Sequence, residues 1–214
     1  VDMMKKYEFD EIQWKELKME CEQEGIEFLA SVFDEDSLNI LENIGVKRYK
    51  IASCDVTNLL LLEKIGAVGK PVIMSTGMSK IEEIALAVET LRQNGSKDIT
   101  LLQCVSSYPA KAEDANLLAM KSMGNIFGTK IGYSDHIKEN YVSFAAAALG
   151  AEVIEKHFTK DNNLPGVDQK MSLNPLEFKD LVNGIRAIEK SLGESSKKVA
   201  SSENAAREGG RRGL

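Results

Sequence analysis

The sequence predicts an α/β protein, an incomplete (β/α)8 TIM barrel with about six of its eight units present. Three observations carry that expectation. Short apolar, β-rich runs alternate with amphipathic helical stretches, the pattern of parallel βαβ units. No GxGxxG or Walker sequence follows an early strand, as a doubly wound nucleotide-binding sheet usually shows. Polar residues gather instead at the C-terminal ends of nearly every strand, where a barrel builds its active site. The 214 residues fall short of the ~250 of a typical barrel. Two units are therefore expected to be missing at the N-terminus, and a first residue of Val rather than Met points the same way.

The elements follow in order. Glu11–Glu24 reads as a helix, with Ile12, Leu17 and Cys21 able to share a face and Gly25 at its end. Residues 26–33, Ile-Glu-Phe-Leu-Ala-Ser-Val-Phe, read as the first strand. A short helix over Asp36–Asn43 ends at Gly45, and Val46–Ser53 is the second strand. Asn58–Ile65 is helical and Pro71–Ser75 the third strand. Lys80–Asn94 places Ile81, Ile84, Ala85, Val88 and Leu91 on one side, a strongly amphipathic helix. Asp98–Val105 is the fourth strand, Asn116–Ser122 a short helix and Lys130–Ser134 the fifth strand. Asn140–Leu149 is an alanine-rich helix, and Glu152–Phe158 the sixth strand. The last helix starts at Pro175, with Asn174 as N-cap and Glu177 completing a capping-box-like arrangement. From Gly193 onward Ser, Lys, Glu, Gly and Arg dominate, so the tail reads as a linker or disordered end.

Composition narrows the function classes. With 27 basic and 33 acidic side chains the formal net charge is −6, which argues against a nucleic-acid footprint. No segment approaches the ~20 apolar residues of a membrane span, and Val1-Asp2-Met3-Met4-Lys5 does not open a signal peptide. Cys21, Cys54 and Cys104 are widely spaced and lack a CxxC pair. That pattern favours a reducing compartment, and a cytoplasmic location, over a disulfide scaffold or zinc ribbon.

Chemistry is expected at the strand ends. Ser31, Ser53, Ser75, Ser106 and Ser134 recur at one structural level, with Lys50 among them. Converging hydroxyls, backbone N–H groups and a lysine form a cradle for phosphate or carboxylate, although serine is also common at strand ends for turn chemistry alone. Lys50 shares a strand face with Arg48 and Ala52. On an interior face a lysine meets an anion or forms a Schiff base, and the surrounding hydroxyls favour the anion. The only two histidines, His136 and His157, fall at the ends of neighbouring strands. Adjacent strands lie ~4.8 Å apart, so both imidazoles could reach one metal with open positions for water and substrate. They could equally be unrelated polar residues at a barrel mouth. The strand-end acids Asp55, Asp135 and Glu155 are candidates for further ligands or acid/base work, and Glu155 shares a face with His157 by the period of two. Asp168 follows the Pro165-Gly166 turn, where it could accept from sugar hydroxyls or stand as a solvated loop acid. No nucleophilic role is assigned to a cysteine.

Taken together, seven segments resemble the sialic acid synthase (N-acetylneuraminate synthase) family, the phosphoenolpyruvate-dependent synthases of nine-carbon keto sugar acids. They are residues 31–34 (Ser-Val-Phe-Asp), 50–53 (Lys-Ile-Ala-Ser), 74–79 (Met-Ser-Thr-Gly-Met-Ser), 104–109 (Cys-Val-Ser-Ser-Tyr-Pro), 131–136 (Ile-Gly-Tyr-Ser-Asp-His), 153–159 (Val-Ile-Glu-Lys-His-Phe-Thr) and 163–168 (Asn-Leu-Pro-Gly-Val-Asp). Any one is weak; all seven in order are highly specific. The resemblance implies a catalytic barrel over residues 1–192 and a linker over 193–214 toward an antifreeze-like (SAF) domain absent from this sequence. It implies condensation of phosphoenolpyruvate with N-acetylmannosamine or a related N-acetylated hexosamine, with release of phosphate. Legionaminic, pseudaminic or spore-coat sugar acid synthases of the same family are alternatives. More distant ones are a Schiff-base aldolase using Lys50 and an inactive barrel remnant. By resemblance His136 and His157 would bind a divalent metal, usually manganese, with magnesium or cobalt as substitutes. Ser31 (in place of a usual threonine), Lys50, Ser53, Ser75, Ser106 and Ser134 would hold phosphoenolpyruvate, and Tyr108 and Asp168 the sugar. Asp55, where many members have glutamate, and Glu155 would join the two histidines in catalysis. The full-length form would be a homodimer, and this fragment alone is expected to be inactive.

Overall fold

The computed structural model describes residues 8–213; residues 1–7, with the opening stretch considered as a signal peptide, and Leu214 lie outside the described residues. Among the described residues lie eight helices and five strands: α1 (Glu11–Gln23), α2 (Glu35–Ile44), β1 (Tyr49–Ile51), α3 (Leu59–Val68), β2 (Val72–Ser75), α4 (Ile81–Asn94), β3 (Ile99–Cys104), α5 (Leu118–Phe127), β4 (Lys130–Asp135), α6 (Tyr141–Ala148), β5 (Val153–Lys156), α7 (Pro175–Leu192) and α8 (Asn204–Gly210). Short 3-10 turns sit at Ser53–Asp55, Ala112–Asp114 and Ser201–Glu203.

The strands form one parallel sheet in the order β1-β2-β3-β4-β5. A doubly wound sheet reverses its order at a switch point. Here each strand simply adds beside the last, as around a barrel wall, and the result is a half-barrel.

Alternation along the strands sorts the side chains. Tyr49, Ile51, Val72, Met74, Ile99 and Leu101 face the helices and join Leu62, Ile65, Val88 and Leu91 in the main core. A second cluster packs Tyr133 with Met120, Val142 and Ala146. Each fully buried aliphatic side chain in these clusters contributes roughly 1.5–3 kcal/mol. Gly132 marks a close approach: a Cβ there would collide with the Val153 carbonyl oxygen and the Leu102 side chain. Only glycine lets β4 pack this tightly between β3 and β5.

Helix ends follow their local chemistry. The Asn174 side chain accepts from the N–H groups of Leu176 and Glu177, and Glu177 accepts in turn from Asn174 N–H at 2.9 Å. This is the capping box expected from sequence. Asp34 caps α2 by accepting from Ser37 N–H at 2.7 Å, and Gly45 closes that helix in the left-handed region.

Five expectations change. The second expected strand, Val46–Ser53, is trimmed to Tyr49–Ile51, and Ser53 opens a 3-10 turn. Residues 26–33 make no strand but a single parallel bridge from Ser31 to Lys50. Lys50 N–H donates to Ala30 and Val32 N–H to Lys50. β1 is only three residues long, so it offers a partner to the end of this segment alone. The sixth expected strand stops at Lys156, leaving His157 beyond the strand and Phe158 bridged to Leu173. The helix expected from Asn116 begins at Leu118, because Asn116 takes a left-handed φ of 44°, and it runs on to Phe127. The tail after Gly193 contains the short helix α8, which buries no residue.

Candidate active site

The C-terminal ends of the strands carry the polar cluster. Lys50, from the middle of β1, projects from the face opposite Tyr49 and Ile51 and is 5% exposed. Its Nζ donates to Ser75 Oγ at 2.7 Å and to the Ile51 carbonyl at 2.9 Å. It lies 3.6 Å from Glu155 Oε2. Glu155 Oε1 accepts from Ser134 Oγ at 2.6 Å and from Ser75 Oγ at 3.4 Å. Side chains from β1, β2 and β4 thus converge on the one carboxylate that β5 supplies. Burial pulls the Lys50 ammonium below its ordinary range, and the Glu155 carboxylate opposes that shift.

A second group sits beside it. Gly77 N–H donates to Ser53 Oγ at 2.9 Å. A Cβ at Gly77 would collide with Ser106 Oγ and would itself lie 3.0 Å from Ser53 Oγ and 3.2 Å from Cys104 Sγ. Ser53, Ser106 and the Gly77 backbone therefore form a small hydroxyl-lined hollow that glycine keeps open. Sequence reasoning singled out the serines and missed Gly77. Its signal was a glycine set directly after a strand, between Thr76 and Met78.

The two histidines face each other. Their ring centroids are 5.3 Å apart and Tyr108 stacks on His136 at 4.1 Å. His136 Nδ1 lies 2.7 Å from the Val105 carbonyl oxygen. A carbonyl can only accept, so Nδ1 carries a proton and Nε2 is the ring nitrogen left for another partner. Burial, then the neighbouring His136, lowers the His157 pKa and favours its neutral form. Two facing imidazoles, one with its Nδ1 committed to a carbonyl, fit a divalent cation of the zinc–manganese class. Among the described residues no group of three or more His, Cys, Asp or Glu could hold a metal ion. The pair fits as two ligands of an open site, with the remaining positions to be filled from elsewhere.

The other candidate residues are placed as follows. Ser31 bridges to Lys50 at the sheet edge. Asp168 is near enough for its charge to act on both Tyr108 and His157: burial chiefly raises the Tyr108 pKa and Asp168 adds to that rise, while at His157 Asp168 opposes the fall that burial causes. Asp55 is buried, and its carboxylate accepts from Asn58 Nδ2 at 3.2 Å and from Cys54 Sγ at 3.4 Å. Asp135 departs from the expectation of a site acid. It ends β4 facing the helices, where Lys156, Ser143 and Ile137 N–H saturate it. The reason is parity: Ser134 and His136 lie on one face of that strand and Asp135 on the other.

The NeuB family model matches residues 1–197. The chain belongs to the NeuB family. It is 44% identical over 205 residues to the N,N'-diacetyllegionaminic acid synthase of Campylobacter jejuni, covering 95% of this chain and 61% of that protein. It is 47% identical over 196 residues to an uncharacterized protein of Methanocaldococcus jannaschii, covering 92% of this chain and 58% of that one. The crystal structure of the N-acetylneuraminic acid synthetase of Leptospira borgpetersenii, in complex with citrate, superposes with a TM-score of 0.86 at 40% identity, covering 96% of this chain and 73% of that chain. A truncated 3-deoxy-D-arabino-heptulosonate 7-phosphate synthase from Thermotoga maritima, 23% identical with a TM-score of 0.75, shares the fold. The chain thus spans about three fifths of the length of these curated relatives. No helix of the described residues is long and apolar enough to cross a membrane.

Proposed function

We propose that this NeuB-family chain carries the phosphoenolpyruvate and metal end of a synthase that joins phosphoenolpyruvate to an N-acetylated hexosamine. N-acetylmannosamine and the precursors of legionaminic, pseudaminic and spore-coat sugar acids are the candidate acceptors. The observation that carries this reading is the shared Lys50–Ser75–Ser134–Glu155 cluster beside two facing histidines. An anionic enol needs a cation and hydroxyl donors, and an aldehyde needs polarisation as a carbon nucleophile approaches.

Lys50 supplies the positive charge, and Ser31, Ser53, Ser75, Ser106 and Ser134 supply donors for the phosphate and carboxylate. His136 and His157 would hold a divalent cation, most simply manganese, with magnesium or cobalt as substitutes. When bound, that ion supplies Lewis-acid polarisation of the open-chain aldehyde. Carbon 3 of the enol attacks the aldehyde carbon, whose oxygen takes up a proton. Water adds at carbon 2, giving its proton to a base, and the tetrahedral adduct breaks its carbon–oxygen bond to release phosphate. Glu155 is assigned as that base, a reading supported by a side chain that is 40% exposed and held by Ser134 and Lys50. Asp55 is assigned an acid/base part, and Tyr108 and Asp168 the sugar. The parent enzyme is read as a cytoplasmic homodimer, with the chain's C-terminal tail linking to a further domain.

The test is phosphate release from phosphoenolpyruvate over a panel of N-acetylhexosamines, using the intact protein. His136→Ala and His157→Ala should each abolish turnover, and added manganese should not restore it. Wild-type turnover in either variant would overturn the assignment. Borohydride with a keto acid should leave Lys50 unlabelled, whereas a Schiff-base aldolase would trap there.

A further inference from the structure

Directly behind the two histidines lies a fully buried ion pair. Lys156 and Asp135 have side chains 2% and 0% exposed, and Lys156 Nζ donates to Asp135 Oδ2 at 2.9 Å. The remaining ammonium protons go to the carbonyl oxygens of Ile137 and of Glu139, the latter at 3.1 Å. Asp135 Oδ2 also accepts from Ser143 Oγ at 2.5 Å, and its Oδ1 from Ile137 N–H at 2.9 Å. The network leaves no charge unpaired, and it ties the end of β4, the turn after it, α6 and the end of β5 into one unit.

The network's place in the sequence matters. Asp135 immediately precedes His136, and Lys156 immediately precedes His157. Asp135 is in register with Lys156 across the β4–β5 ladder. The two histidines therefore leave the sheet from adjacent chain positions whose backbones the ion pair joins from behind. A buried ion pair is a poor device for stability alone, because desolvation offsets most of its attraction and apolar replacements often serve as well. Its geometry is more specific than its energy.

We propose that Lys156 and Asp135 are positioning residues that set the spacing and facing of His136 and His157. The inference rests on the reading of the histidines as a metal pair. Lys156→Met removes the cation and leaves Asp135 uncompensated. Lys156→Met/Asp135→Asn removes both charges while keeping an acceptor for Ile137 N–H. The measurements, on the intact protein, are the nitrogen-resolved ring signals of His136 and His157, the manganese dissociation constant without substrate, and thermal stability.

Both variants should move the ring signals of the two histidines and weaken manganese binding about 10- to 100-fold, the usual effect of removing a residue that orients a ligand. The double variant should regain stability relative to Lys156→Met without regaining metal affinity. A double variant with parental ring signals and parental manganese affinity would overturn the proposal. If Lys156→Met does not fold, the double variant alone decides. If the parent itself binds no manganese, the metal reading fails; displaced ring signals would then still support the positioning role, and unmoved signals would overturn it.

Discussion

The two faces of the same sheet differ in kind. The helix-facing face carries Tyr49, Ile51, Met74 and Leu101, all fully buried among aliphatic neighbours. The opposite face carries Lys50, Ser75, Ser134 and Glu155, joined by hydrogen bonds rather than by packing. Because side chains alternate along a strand, residues one position apart serve opposite ends. Tyr49 and Ile51 hold the half-barrel together, while Lys50 between them meets Ser75 and Glu155 on the other face. The two faces should therefore fail separately under mutation, one in stability and the other in turnover.

The largest effect is expected on the packed face. Leu101→Ala should cost about 3–5 kcal/mol, the range for a fully buried leucine truncated in a rigid core. Denaturant unfolding measures it, and a loss below 1 kcal/mol would mean that the helices do not depend on this seam. On the polar face, Lys50→Met should lower kcat/KM for phosphoenolpyruvate by roughly 100- to 1,000-fold, as when one preorganised electrostatic group is removed. Its stability should change little, because Glu155, 40% exposed and still held by Ser134, is not left as a buried unpaired charge. Lowered turnover with collapsed stability would blur the division between the faces.

The same lysine gives the comparison a pH dependence. Lys50 is charged below its pKa and neutral above it, and burial lowers that pKa from 10.5. The alkaline fall in kcat/KM for phosphoenolpyruvate should therefore lie below pH 10.5, on the side where a free lysine would still be charged. Lys50→Arg keeps its charge throughout, so it should remove that limb even where it lowers the rate. A limb unchanged in Lys50→Arg would assign it to another group.

Local pattern was enough for much of this architecture. The helix α4 repeats its apolar residues at helical spacing, and the Asn174–Pro175–Glu177 cap lies within four consecutive residues, so both are legible in the sequence. The alternation of Lys50 with Arg48 and Ala52 likewise gave its face. Residues 26–33 carry the right apolar content for a strand, but pairing depends on a distant partner, and β1 is too short to supply one. Asp135 fails as a site acid for a similar reason. Composition marks a carboxylate at a strand end, and only the register shows that Lys156 awaits it on the far face. The serine set and Lys50 were visible one by one; their convergence on Glu155 belongs to the sheet.

A smaller effect tests the hollow at the end of β2. Gly77→Ala places a methyl against Ser106 Oγ and within 3.2 Å of Cys104 Sγ. The hydroxyl can turn away, so the fold should lose only about 1–3 kcal/mol, the usual cost of overpacking. On the proposed reading, ligand binding should lose more: KM for phosphoenolpyruvate should rise well before kcat falls, since the methyl fills the hollow between Ser53 and Ser106. An unchanged KM would move the anion away from Ser53 and Ser106.

The smallest effect is expected next door. Met78 holds a φ of 64° with its side chain 73% exposed. A left-handed conformation costs an ordinary L-residue roughly 1–2 kcal/mol, and glycine escapes that cost while losing about 0.5–1 kcal/mol in unfolded-state entropy. Met78→Gly should therefore raise stability by up to about 1 kcal/mol, read as a small increase in denaturation midpoint at an unchanged m-value. Because the side chain buries little surface in this chain, nothing on the packed face should oppose that gain. A loss of stability would instead mean that the intact protein covers Met78, and that the mouth of the site is closed by residues from outside this half-barrel.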